Sequence, residues 1–158
     1  MDLAALLDPD LIFPGLHGKD REAVLRSVAD HVAVAGRVPD AQSFFDALLE
    51  REGLGSTGIG NGVAVPHCKL KGVGEPVLAV AVTRRGIDFF AVDGEVVQVL
   101  FVLASPEKDP VQHLQVLAAI SRWVRHEENL QALIDANDRS EIFELLRRER
   151  TEEPEPVP

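Results

Sequence analysis

Two histidines, an arginine and a run of glycines are the residues of this chain whose types and spacing could do chemistry. They gather around the stretch Arg51 to Leu70, REGLGSTGIGNGVAVPHCKL, where five of the twelve glycines fall between Gly53 and Gly62. Ordered glycine costs conformational entropy, so such a cluster predicts backbone that turns at positive φ or comes close to something. Ser56 and Thr57 add hydroxyls, and the amides of Gly58, Ile59 and Gly60 add N–H donors, a set suited to the oxygens of a phosphate. Pro66 stiffens the chain just ahead of His67, which sets an imidazole beside that cradle as a nucleophile. The nucleotide loops fail on spacing. Asn61 and Gly62 stand where a P-loop beginning at Gly55 needs Lys and Ser/Thr, and Val63 occupies the third glycine of a dinucleotide fingerprint opened at Gly58. A phosphate cradle without the lysine or the acidic metal ligands of ATP chemistry, next to a histidine on a rigid arm, points to the histidine itself carrying the phosphoryl group.

The segment resembles the active-site stretch of the enzyme IIA domains of the bacterial phosphoenolpyruvate-dependent phosphotransferase system, in the fructose/mannitol and nitrogen-regulatory branch. The resemblance runs from about Leu11 to about Arg150 and is most specific at Arg51-Glu52 and Ser56 to His67, with His113-Leu114 as a second match. It implies that His67 accepts a phosphoryl group from the small phosphohistidine carrier protein. In one use the group then passes to a sugar-specific IIB domain; in another it switches binding to a regulatory target protein. GSTGIGNGVAVPH is more similar to the nitrogen-regulatory branch. A third reading, an interaction module that keeps the fold without transferring phosphate, is opposed by the complete set of Arg51, His67 and His113. No metal, nucleotide or other cofactor is expected, because donor and acceptor proteins bring the reacting groups together.

Each side chain also has a plainer reading. His113 alone would be a helix-surface histidine, but a helix start favours anions, and the resemblance gives it the role of phosphoryl stabiliser, not acceptor. Arg51 at a helix end could simply satisfy the dipole. A phosphohistidine carries close to two negative charges, however, and the resemblance places the charge-neutralising arginine here. Cys68 could pair with His67 as a nucleophile or join His67 and His113 on a metal. Adjacent residues seldom converge on one centre after a strand, and no other spaced Cys/His cluster supports zinc. Glycine is common after the histidine in this family, so Cys68 is a departure, expected to add redox sensitivity. Phe90 is another, standing where relatives often carry an acidic residue before the Asp93-Gly94 turn, and it is expected to alter partner choice. His17, His31 and His126 come with no motif.

The elements that must position these groups follow from pattern. At 158 residues and 46% hydrophobic content the chain is long and apolar enough for one domain, taken as 1–150, with 151–158 (TEEPEPVP) as a disordered acidic tail. A net charge of −10 argues against binding nucleic acid. No apolar run approaches the roughly 20 residues that span a bilayer. The acidic start MDLAALLDPD is unlike a secretory signal, and one cysteine allows no intrachain disulfide, so the expected location is cytoplasmic. Leu11 to Phe13 predicts a first strand. Helical spacing follows over Lys19 to Ala35, stopped by Gly36, and then from an Asp40 N-cap through Phe44, Phe45, Leu48 and Leu49 to Gly53. Val63 to Val65 predicts a short buried strand, and Pro76 to Thr83 and Glu95 to Ala104 predict central strands covered on both faces. Helices are expected from Pro110 to Arg125, over Glu127 to Ala136, and beyond an Asp138/Glu141 capping box. The order implies an α/β fold, a three-layer α/β/α sandwich around a central mixed sheet.

Overall fold

Two long strands set the layering. The computed structural model describes residues 2–148, and in it β5 (Val77–Ile87) and β6 (Val97–Pro106) pair antiparallel at the centre of a six-stranded sheet. Successive side chains on a strand face opposite ways, so two nearly continuous apolar strands supply two cores. Leu78, Val80 and Val82 with Val99, Phe101 and Leu103 pack beneath α3 (Pro110–Val124), α4 (Glu127–Asp135) and α5 (Arg139–Arg148), against Ile120, Trp123, Leu133 and Ile142. The alternate residues Ala79, Ala81, Leu100 and Val102 pack under α1 (Arg21–Val34) and α2 (Ala41–Gly53), against Val24, Leu25, Phe44 and Leu48. The three-layer α/β/α sandwich with a central mixed sheet is the architecture found.

The sheet runs β1 (Ile12–Phe13), β5, β6, β3 (Val63–Ala64), β2 (Gly58–Gly60), and β4 (His67–Leu70) also lies on β6. The pair β1 and β5 is parallel, as are β3 and β4 with β6, whereas β2 is antiparallel to β3. β3 and β4 are two parts of one line along β6. Ala64 faces Leu100 and His67 faces Leu103, the same offset, and the Leu103 amide donates to the Pro66 carbonyl at 2.9 Å. Pro66 brings no N–H to the ladder, and that missing donor divides the strand.

Aspartates set the helix starts. Asp40 accepts from the Ser43 amide at 2.7 Å, and Asp20 accepts from Ala23 at 2.8 Å, which starts α1 at Arg21 instead of Lys19. Asp138 caps Glu141 at 2.9 Å, and the Glu141 carboxylate reaches back one residue further than a capping box requires, to the Asn137 amide at 3.1 Å. Two strands were not anticipated, β2 inside the glycine run and β4 beginning at His67. β5 continues past Thr83 to Ile87 across a register shift, with Gly86 at φ 75°. Among the described residues no helix is long and apolar enough to cross a membrane. The expected tail 151–158 lies outside the described residues.

Candidate active site

His67 opens β4, immediately after the rigid Pro66. Its Nδ1 lies 2.7 Å from the Val65 carbonyl oxygen, an acceptor only, so Nδ1 carries the proton and donates it. The lone pair is therefore on Nε2. Burial pushes the His67 pKa below its ordinary value; the Val65 carbonyl opposes this, the Arg51 charge adds to it, and Glu52 opposes it. At neutral pH the ring is uncharged, as a nucleophile must be.

His113 lies in the first turn of α3, whose N-cap Asp109 accepts from the Gln112 amide at 3.0 Å. Helix packing over the end of β6 leaves it 6% exposed, with Nδ1 2.7 Å from Ser105 Oγ. The His67 and His113 ring centroids are 5.4 Å apart at an interplanar angle of 52°. Burial, then the neighbouring His67, then Lys69 push the His113 pKa down to about 4, so it too is neutral at pH 7.

Arg51 projects from the last turn of α2, and its Nη1 donates to the Gly55 carbonyl at 2.8 Å. That bond anchors the guanidinium beside the histidines. His67, His113, Arg51, Lys69, Cys68 and Leu54 all line one cleft of about 400 Å³. A larger groove of about 960 Å³ lies elsewhere, between the N-terminal segment and the loop after β4. It contains no histidine, and its Arg37 is paired with Asp8. The chemistry of the lining, not the volume, selects the site.

The glycine run departs from the expected loop. Gly58, Ile59 and Gly60 form β2, held antiparallel to β3, and none of Ser56, Thr57, Gly58, Ile59 or Gly60 lines the cleft. Ser56 Oγ donates to the Phe89 carbonyl and accepts from the Gly58 amide at 2.9 Å. Both the amide of Thr57, at 3.1 Å, and its hydroxyl go to the buried carboxylate of Glu52, which also sits 3.7 Å from Arg21 Nη1. The hydroxyls of Ser56 and Thr57 and the Thr57 amide are thus engaged inside the protein, and Gly58 serves close packing. A Cβ on Gly58 would sit 2.8 Å from that of Ala91.

Sequence reasoning missed Lys69 and Ser105. Lys69 is two residues beyond His67 on one strand, hence on the same face, a signal available only once β4 is seen as a strand. Ser105 is a polar residue closing an apolar strand eight positions before His113. Burial pushes the Cys68 thiol up to about 12, leaving little thiolate at neutral pH, which disfavours the expected redox sensitivity. Among the described residues no three His, Cys, Asp or Glu come together as a metal site. Phe90 is exposed at φ 56°, with the Arg21 guanidinium 4.7 Å from its ring centroid.

The sandwich belongs to a known class. Residues 5–149 match the family described as "Phosphoenolpyruvate-dependent sugar phosphotransferase system, EIIA 2", and the chain belongs to that family. A "PTS system fructose-specific EIIA component" from Haloferax volcanii is 37% identical over 126 residues, 80% of this chain and 82% of that protein. A "Nitrogen regulatory protein" from Pseudomonas aeruginosa is 36% identical over 144 residues, 91% of this chain and 94% of that protein. Among solved structures, IIA-Ntr from Neisseria meningitidis is similar at a TM-score of 0.85 and 26% identity, over 91% of this chain and 98% of its own. The mannitol IIA in a complex with phosphorylated IIB from Escherichia coli shares the fold, at a TM-score of 0.74 and 23% identity over 89% and 96% of the two chains.

Proposed function

We propose that His67 carries a phosphoryl group on Nε2, received from a phosphohistidine carrier protein, and that the loaded and unloaded surfaces are distinguished by a regulatory target. The observation that carries this is the Val65 carbonyl held at 2.7 Å from Nδ1, which leaves Nε2 as the free nucleophile in a cleft shared with His113 and Arg51. The Nε2 lone pair attacks phosphorus, and the P–N bond of the donor breaks with its electron pair returning to the donor ring. The positive charge that develops on the His67 ring is met by the Val65 carbonyl. Arg51 neutralises the phosphoryl oxygens, and Lys69 adds a second cation from the same strand face. Ser56 to Gly60 we assign to holding the arm ahead of His67: the Thr57 carbonyl accepts from the Val65 amide at 3.0 Å, and the Thr57–Glu52 bonds fix Thr57 in turn.

Partner docking is supported by exposed apolar side chains at the cleft and on α3. Leu54 on one rim is 82% exposed, and Val111 and Leu114 on α3 are each 64% exposed. Isolated apolar residues are ordinary on a surface, but an exposed leucine lining the cleft of His67, with two more apolar residues close to His113 in sequence, suits contact with another protein. The regulatory use is favoured by the fuller coverage of the nitrogen regulatory relative and the high structural similarity to IIA-Ntr. The fructose-specific relative supports a second reading, transfer to a sugar-specific IIB domain. The two separate when phosphorylated protein is mixed with fructose- and mannitol-type IIB domains. The regulatory reading expects the phosphoryl group to stay on His67, and rapid discharge to a IIB domain establishes the uptake reading instead.

A further inference from the structure

We infer that Ser105 is a positioning residue: its hydroxyl donates to Nδ1 of His113 and locks that ring in the tautomer presenting an Nε2–H donor to the cleft. Ser105 is fully buried, and its Oγ lies 2.7 Å from His113 Nδ1. A contact of that length can be read two ways. If Nδ1–H donated to Oγ, the serine proton would need a further acceptor, and among the described residues Ser105 Oγ has no partner besides His113. A buried hydroxyl whose proton is unused forfeits a hydrogen bond it had in water. If Oγ–H donates to Nδ1, both groups are satisfied, and the proton of the neutral ring must sit on Nε2. The low pKa of His113, about 4, keeps the ring in the neutral form for which the tautomer matters.

The placement follows from the strand. Val99, Phe101 and Leu103 face the α3 layer, so period two puts Ser105 on that face as well, opposite Lys69 in the register with β4. The connection from Pro106 to Asp109 then returns the chain so that His113 falls back over Ser105. His67 and His113 are thereby fixed in opposite tautomers. The Val65 carbonyl requires Nδ1–H on His67, and the Ser105 hydroxyl requires Nε2–H on His113. One ring offers a lone pair to phosphorus and the other an N–H to a phosphoryl oxygen, at a centroid separation of 5.4 Å. On the reading of His67 as acceptor, on which this rests, Ser105 touches neither the phosphoryl group nor the partner, and acts through His113.

The test has two arms. Ring 15N–1H NMR of the unphosphorylated wild type reads the tautomer of each histidine without any transfer. The expected pattern is Nε2–H for His113 and Nδ1–H for His67, and a protonated Nδ1 on His113 overturns the inference. In the second arm Ser105→Thr is compared with Ser105→Val, a pair of equal volume differing in the hydroxyl. The expected result is Thr near wild type and Val about tenfold slower in giving up its phosphoryl group, with His67 still the residue loaded. Equal rates for the two folded variants overturn the inference. A wild type that takes up no phosphate refutes the reading of His67, while the tautomer spectrum still decides Ser105.

Discussion

At the scale of single residues, the proposed site assigns one role to each nitrogen. His67 Nδ1 is occupied by a carbonyl, His113 Nδ1 by a hydroxyl, and Arg51 Nη1 by the Gly55 carbonyl, so that what remains faces the cleft. Arg51→Ala should therefore leave α2 folded and slow phosphoryl transfer by at least about tenfold, the cost of losing a charged donor from a phosphoryl site. Stopped-flow or quench kinetics with the carrier protein measure it, and an unchanged rate in a folded variant returns Arg51 to capping the helix. His67 stood out in the sequence as the candidate acceptor because Pro66-His67 after a glycine run is a short-range signal. The environment of Ser56 and Thr57 was not, because it depends on where the Glu52 carboxylate reaches, a matter of rotamer and burial.

At the scale of elements, most of the scaffold is written in local chemistry: aspartate caps at Asp40 and Asp138, apolar stripes on α1 and α2, and β-branched runs in β5 and β6. β2 and β4 were hidden for the opposite reason. HCKL has only two apolar members, and GIG has two glycines, so neither favours a strand by itself; pairing along β3 and β6 imposes it. The glycines of this region are tested by contrast. Gly58→Ala should destabilise by about 1–3 kcal/mol, because the new Cβ meets that of Ala91, which has no flexible end to give way. Gly53→Ala, in the last turn of α2 with nothing within 4 Å of the added Cβ, should be neutral or slightly stabilising. Denaturant midpoints measure both, and equal midpoints would remove the close approach of β2 to the Phe89–Ala91 segment as the reason for glycine.

At the scale of the whole molecule, the two histidines packed at the candidate cleft should make stability depend on pH. The unfolded chain protonates His113 near its ordinary 6.5, whereas the folded state resists until about 4. Between those values the unfolded state binds the extra proton, so stability falls as pH drops from 6.5 towards 4 and this contribution is flat below. His67 adds in the same direction. The aspartates held low by backbone amides, Asp40 by Ser43 and Asp93 by Asn61, act instead around and below 3.8. Thermal melts from pH 7 to pH 4.5 should show a shallower decline for His113→Gln than for wild type, and parallel declines would place the buried charge elsewhere.

The central proposal is that His67 Nε2 is where phosphate is carried. Peptide mapping under alkaline conditions that preserve phosphohistidine, after incubation with phosphoenolpyruvate and the general phosphotransfer proteins, tests it directly. The expected result is one phosphate on the peptide containing His67 in both wild type and His113→Ala, and none in His67→Ala, with His113→Ala impaired in passing the group on. Phosphate on the His113 peptide of the wild type, with none on that of His67, would contradict the account.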